Sequence, residues 1–240
     1  MNFGMPYQGS KNKLAKDIIE QMPPAEHFYD LFGGGGAITH CAILSGKYKY
    51  VHYNEINPLV VKGFEMAING EFNNENRWIS REEFYQLKDT DPYVAICFSF
   101  GNNLVDYLYG KDVEPIKKAL YYSRVFNDDS LIEEQGRLVT LERLKRLRQL
   151  QITNVSYNEI PLQSDSVIYC DIPYKNTKKY CHNEFDYDKF YEWCKGKKNL
   201  FVSEYSMPPE FVEVWSKKHK SFMSATKVAD SVEKLFTLKE

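Results

Sequence analysis

The tetrapeptide Asp171-Ile172-Pro173-Tyr174 sets a carboxylate, a backbone carbonyl and an aromatic face at the end of an apolar run. Those groups suit one chemistry: holding a planar exocyclic amine, such as that of adenine, while it attacks a methyl group. The lone pair of such an amine is delocalised into its ring. Attack therefore requires a more tetrahedral nitrogen, and two acceptors aimed at its hydrogens favour that change. Asp171 supplies one acceptor. The carbonyl of Ile172 supplies the second, because the proline that follows biases residue 172 toward extended geometry. Tyr174 offers a face for an extruded base, a contact worth ~1–3 kcal/mol in single-strand binders. Positioning carries most of the acceleration, and a proton acceptor adds typically ~10²–10⁴-fold. The methyl donor has to be a sulfonium such as S-adenosyl-L-methionine. Taken alone, the string also fits an ordinary strand-to-turn junction.

A second set of residues could hold such a donor. Gly33 to Gly36 are four consecutive glycines between an apolar, aromatic run and a helical pattern. Glycine there lets backbone approach a ligand closely, while the helix N-terminus presents free N–H groups. A dinucleotide fingerprint begun at Gly33 needs glycine where Ile38 stands, which disfavours a dehydrogenase. Glu55, after the next strand, is where an acid can accept hydrogen bonds from a ribose diol, although taken on its own it reads better as an exposed strand-end glutamate.

The elements that must position these groups follow from periodicity. Residues 10 to 21 read as a helix with Ser10 as N-cap, ended by Pro23 and Pro24. His27 to Phe32 reads as a buried strand, AITHCAILSG as a helix ended by Gly46, and Tyr48 to Tyr53 as a second strand, together a crossover unit. From Pro58 to Gln151 the pattern turns to helical segments separated by polar turns. Strand character returns at 151–159, at 165–174, at Asn199–Tyr205, and in two tail segments, Val212–Met223 and Val232–Leu238. The fold class expected is α/β, with an inserted, largely helical subdomain at 58–151 dividing a catalytic domain formed by 1–57 and 152–240.

At 240 residues and 43% hydrophobic, the chain can bury a substantial core. Its five cysteines are odd in number, widely spaced and without a C-x-x-C pair, which argues for reduced thiols and against a structural zinc. No apolar run approaches a membrane span or a signal peptide, so a soluble, cytoplasmic protein is expected. The net charge of −2 does not advertise nucleic-acid binding. The densest basic stretch, Arg137 to Arg148, fits a solvated helix face as well as a phosphate contact.

In order and spacing, these features resemble the Dam-like, D12-class adenine-specific DNA methyltransferases. The resemblance rests on Tyr7-Gln8-Gly9-Ser10-Lys11, DLFGGGG (30–36), YNEINP (53–58) and DIPY (171–174). It implies a Rossmann-like class I sheet, mostly parallel, with seven strands and a reversed terminal hairpin. It implies S-adenosyl-L-methionine as cofactor and base flipping of double-stranded DNA, with the 58–151 insertion as target-recognition domain. Tyr7, Lys11, Asp30, Phe32, Gly33, Gly34, Gly35 and Glu55 would contact the cofactor, Lys11 being a candidate partner for its carboxylate. Asp171 would lie between cofactor and target. The resemblance further admits a cognate restriction endonuclease as partner, in a prokaryotic or phage-infected cell. Two positions depart from the family pattern: Glu55 stands where many relatives have aspartate, and Ile172 replaces the first proline of D-P-P-Y.

Lys175, Lys178 and Lys179, in the polar loop after the site, are candidates for phosphate contacts. Asn102, Asn103, Arg124 and Asn127 are eligible by type for base edges. Other readings remain open at this stage. His182-Asn183-Glu184 matches half of a zinc deaminase signature, but its cysteine half is missing. Cytosine N4, RNA adenine or a protein glutamine are alternative planar nitrogens, and a catalytically weak DNA-binding relative is a third.

Overall fold

The computed structural model describes residues 2–73, 75–125, 150–175, 185–224 and 227–239, with backbone alone for 123–125, 219–224 and 227–230. Seven strands form one sheet: β1 (Ala25–Asp30), β2 (Tyr48–Asn54), β3 (Leu150–Thr153), β4 (Ser166–Asp171), β5 (Leu200–Ser203), β6 (Phe211–Ser224) and β7 (Lys227–Leu238). Their order is β3-β2-β1-β4-β5-β7-β6. The first five are parallel, and β7 runs antiparallel to both β5 and β6. This is the mostly parallel α/β sheet with a reversed terminal hairpin expected of a Rossmann-like methyltransferase. The chain order reverses between β1 and β4, and ligands of open α/β sheets bind beyond the carboxyl ends of strands at such a switch point.

Burial explains the middle of the sheet. SVIYCD in β4 is apolar almost throughout, and its first five residues are buried, as a strand covered on both faces requires. Alternation along β1 sends Phe28 to one face and Tyr29 to the other. The first face packs Phe28, Val51, Tyr53, Val167 and Tyr169 against α1 (Ala15–Glu20), α2 (Ala37–Ser45) and α3 (Pro58–Asn69). The second packs Tyr29, Ile168, Cys170, Ile172 and Val202 against Phe190 and Cys194 of a late helix, Tyr187–Cys194.

Local sequence sets the helix ends. Gly36 (φ 71°) and Gly46 (φ 67°) bound α2 in the left-handed region. Asn57 caps α3 through Leu59 N (3.0 Å), with Pro58 in the first turn. The insertion continues with α4 (Arg81–Leu87), α5 (Pro92–Cys97) and α6 (Glu114–Val125). A Ser80/Glu83 capping box opens α4, and Asp91 caps α5. With α1 to α6 numbered, the late helix is α7. Phe64 of α3 stacks on Tyr53 of β2 (4.3 Å), and Val60, Phe72 and Trp78 join the cluster that lines the first sheet face. The insertion therefore shares a continuous core with the sheet.

Several expected boundaries shift. The N-cap of the first helix is Leu14, not Ser10: residues 7–14 form turns in which the Lys11 carbonyl accepts from Leu14 N and Ala15 N, and among the described residues the Ser10 hydroxyl has no hydrogen-bond partner. The strand expected over 151–159 ends at Thr153, because Asn154 turns its side chain to the Glu55 carbonyl (2.6 Å) and a 3₁₀ turn follows at Tyr157–Glu159. Among the described residues, no helix is long and apolar enough to cross a membrane, no three-residue His/Cys/Asp/Glu cluster could hold a metal, and Cys41, Cys97, Cys170 and Cys194 are free thiols.

Candidate active site

Four neighbouring parallel strands each deliver an acid at their carboxyl ends: Asp30 ends β1, Glu55 follows β2, Asp171 ends β4 and Glu204 follows β5. A fifth, Glu233, comes from β7 at the same edge of the sheet, since Leu235 pairs with Ser203. All five are buried or nearly so.

The glycine turn occupies the space between β1 and α2. Gly33 N donates to the Asn54 carbonyl (2.8 Å), Gly34 N to Glu55 Oε2 (3.0 Å), and Tyr53 OH to the Gly34 carbonyl (2.8 Å). From above, the N-terminal segment crosses the turn, with Met5 N bonded to the Gly35 carbonyl (2.7 Å). An added Cβ at Gly34 (φ 47°) would sit 3.0 Å from the Tyr7 ring, and one at Gly35 would sit 2.7 Å from the Met5 carbonyl. At Gly33 and Gly36 it would meet the rings of Tyr53 and Phe64. Glycine is thus demanded first by the protein's own packing, which draws Tyr7 down against the turn.

Asp30 accepts from Thr39 N (3.1 Å) and Thr39 Oγ1 (2.6 Å), both at Oδ2. Its other oxygen, Oδ1, is buried with no hydrogen-bond partner among the described residues. Burial pushes this carboxyl up to about 7, opposed by the Thr39 hydrogen bonds and reinforced by the charges of Asp171 and Glu55. Glu55 accepts at both oxygens, from Gly34 N and from Asn57 N (2.9 Å), and burial raises it despite those bonds. The Phe32 ring points into an aromatic cluster with Tyr157, Phe185 and Phe190 on the second face, so only its backbone borders the turn.

The tetrapeptide is anchored along its length. Ile172 is 1% exposed and packs in the second-face core. The Pro173 carbonyl accepts from Tyr187 OH (2.9 Å), the Tyr174 hydroxyl donates to Glu233, and Lys175 N donates to Glu204 Oε2 (2.9 Å). Among the described residues, the Ile172 carbonyl accepts no hydrogen bond. Tyr205, 42% exposed, meets the Tyr174 ring edge-on at 4.7 Å. Lys11 Nζ lies 2.9 Å from Asp171 Oδ2, 3.8 Å from Glu233 Oε1 and 4.8 Å from the centroid of the Tyr174 ring. Burial raises the Asp171 carboxyl to about 6, with Lys11 pulling down and Glu233 pushing up.

The fold thus brings Tyr7, Lys11, Asp30, Gly33–Gly35, Glu55 and Asp171–Tyr174 to one edge of the sheet. The candidates for DNA contact fare differently. Lys175 stays beside the site, its ammonium over the Tyr187 ring (5.1 Å). Asn102 and Asn103 spend their side chains on local structure: Asn102 Nδ2 donates to the Ile96 carbonyl (2.9 Å), and Asn103 Oδ1 accepts from Val105 N and Asp106 N. Arg124 lies on α6 with only its backbone described. Asn127, the 137–148 basic stretch, Lys178, Lys179 and His182–Glu184 lie outside the described residues. Sequence reasoning missed Glu204 and Glu233. Glu204 carried the same signal as Glu55, an acid directly after a short apolar strand, whereas Glu233 sits in an ordinary alternating strand and carried none.

Residues 7–226 match the family described as D12 class N6 adenine-specific DNA methyltransferase. A solved structure of a candidate methylase from Haemophilus influenzae aligns at 13% identity and a TM-score of 0.38, covering 98% of this chain and 92% of that one. No curated protein matches the chain. The family match spans all four landmarks gathered at the sheet edge, and the chain belongs to the D12 class of N6 adenine-specific DNA methyltransferases, a family of enzymes.

Proposed function

We propose that this chain transfers a methyl group from S-adenosyl-L-methionine directly to N6 of an adenine flipped out of double-stranded DNA. The observation that carries the reading is the convergence of Asp171, the Ile172 carbonyl and the Tyr174 ring at the switch point, one strand away from the glycine turn.

The residues present fit the cofactor. Asp30 Oδ1, buried and without a donor, suits an ammonium such as that of the methionine moiety. Glu55 keeps lone pairs for ribose hydroxyls beyond its two backbone bonds, and Tyr7 lies against Gly34. Lys11 can reach a cofactor carboxylate only by leaving Asp171. When bound, the cofactor supplies an electrophilic methyl group on a sulfonium.

The chain's own residues do the rest. Asp171 and the Ile172 carbonyl accept the two amine hydrogens and turn the nitrogen lone pair toward the methyl group. The nitrogen must then lose a proton, and a carboxylate raised to about 6 is a better acceptor near neutral pH than an ordinary aspartate. Ile172 holds its carbonyl by packing where the family pattern has the first proline of D-P-P-Y. The 58–151 insertion reads the DNA sequence, and Lys175, Lys178, Lys179, Arg124 and Asn127 are proposed as its contacts or those of the adjoining loop.

The test is to incubate the protein with S-adenosyl-L-methionine labelled in its methyl group and mixed-sequence duplex DNA, digest to nucleosides, and identify the labelled one. Label on N6-methyldeoxyadenosine is expected. Label on cytidine, or on RNA or protein in place of DNA, would overturn the substrate assignment.

A further inference from the structure

One ammonium engages both groups that the target base is proposed to use. Lys11 sits on Asp171 and over the Tyr174 ring, in a pocket where its side chain is 10% exposed and that of Glu233 is 4% exposed. A base stacked on that face, with its amine on Asp171, takes the volume the ammonium fills. Expelling a buried charge without a partner costs far more than moving it between partners. A second carboxylate is within reach, because Glu233 Oε1 is 3.8 Å from the same Nζ and is held at that oxygen by the Tyr174 hydroxyl.

We propose that Glu233 is a positioning residue for the methyl transfer. It receives the Lys11 ammonium when adenine arrives, clearing Asp171 and the Tyr174 face while keeping the positive charge close enough to hold Asp171 ionised. Lys11 is paired with Asp171 in the resting site and with Glu233 in the reacting one, giving up its 2.9 Å contact with Asp171 Oδ2 and closing the 3.8 Å gap to Glu233 Oε1. The proposal rests on the reading of Asp171 and Tyr174 as the amine site.

The double-mutant cycle between Lys11 and Glu233 tests it. Single-turnover methylation of duplex DNA is measured for wild type, Glu233→Gln, Lys11→Met and the double variant, with S-adenosyl-L-methionine affinity measured in parallel. Glu233→Gln should slow transfer by about tenfold or more, with cofactor affinity unchanged, because the amide cannot draw Lys11 off Asp171. Glu233→Asp, which restores the charge, should recover most of the rate. The double variant should be no slower than Lys11→Met alone. A wild-type rate in Glu233→Gln, or a double variant slowed by the product of the two single effects, would overturn the proposal. If Glu233→Gln does not fold, the wild-type complex with duplex DNA and a non-transferable cofactor analogue decides: Lys11 nearer Glu233 supports the proposal, and Lys11 still on Asp171 refutes it. Asp171→Ala is run alongside. Activity retained in that variant refutes the amine site itself, whereas activity lost there with Glu233→Gln at the wild-type rate refutes only the role of Glu233.

Discussion

Replacing Asp30 with asparagine should stabilise the cofactor-free protein at alkaline pH while abolishing its response to cofactor. The carboxyl rises from 3.8 to about 7, largely through burial. At ~1.4 kcal/mol per pH unit, its ionised form costs the folded state about 4 kcal/mol. The sign follows from the raised pKa. The folded protein holds this proton more tightly than the unfolded chain, so the penalty is absent below 3.8, accumulates as pH rises, and is complete above about 7. Asparagine carries no charge and can still accept from Thr39 N and Thr39 Oγ1, but it puts an amide N–H₂ where Oδ1 had no partner, at a cost of ~1–3 kcal/mol. The net gain at about pH 8 is ~1–3 kcal/mol, or roughly 2–4 °C in Tm for each kcal/mol in a chain of this size. Thermal unfolding at about pH 5 and about pH 8, with and without S-adenosyl-L-methionine, checks it. Asp171, raised in the same direction, is present in both proteins, so the informative quantity is the difference between their pH slopes. A variant with the wild-type slope, or with a lower Tm than wild type at about pH 8, would refute the reasoning.

Lys11→Met should move the acid limb of the methylation rate above about 6, since the ammonium is what holds the buried Asp171 carboxyl down; a pH–rate profile with an unmoved limb would count against an ionised Asp171 held by Lys11. Gly34→Ala puts a Cβ at φ 47° and 3.0 Å from the Tyr7 ring, so it should weaken cofactor binding measured by calorimetry and cost ~1 kcal/mol or more of stability; unchanged affinity would detach the turn from the cofactor. Ile172→Ala should cost ~2–5 kcal/mol in urea unfolding, and a loss below about 1 kcal/mol would show that core packing does not anchor the tetrapeptide.

Much of this site could be read from sequence because its signals are local. A strand that stops at glycines, an acid after the next strand and a proline-aromatic turn each declare themselves within a few residues. The protein's own neighbours of the glycines are not local. Each glycine is hemmed by the protein's own Tyr7, Met5, Tyr53 or Phe64, contacts that depend on how the N-terminal segment and α3 fold over the turn. Ser10 was misread as a cap for the same reason: the segment before α1 is tied across the fold by Gln8 N to the Asn102 carbonyl (3.2 Å), and helical periodicity does not register such a tie. Glu233 was invisible because only the pairing of β7 with β5 brings it level with the end of β4.

The pairing of β1 with β4 brings the two central acids together. Asp30 and Asp171 end adjacent strands, and the charge of one raises the other. Their surroundings differ: among the described residues Asp30 has hydrogen bonds from Thr39, with burial raising it, whereas Asp171 has the Lys11 ammonium pulling against its burial. Burial thus raises both carboxyls, and the Lys11 ammonium favours the ionised form of the second. A carboxyl that holds a proton for want of a cation is suited to a cationic ligand, which takes the proton's place and satisfies Oδ1. An already ionised carboxylate is suited to accept from an amine. In the proposed reaction Lys11 thus does more than neutralise charge: by sitting on Asp171 it favours that carboxylate, of the two neighbouring aspartates, as the acceptor.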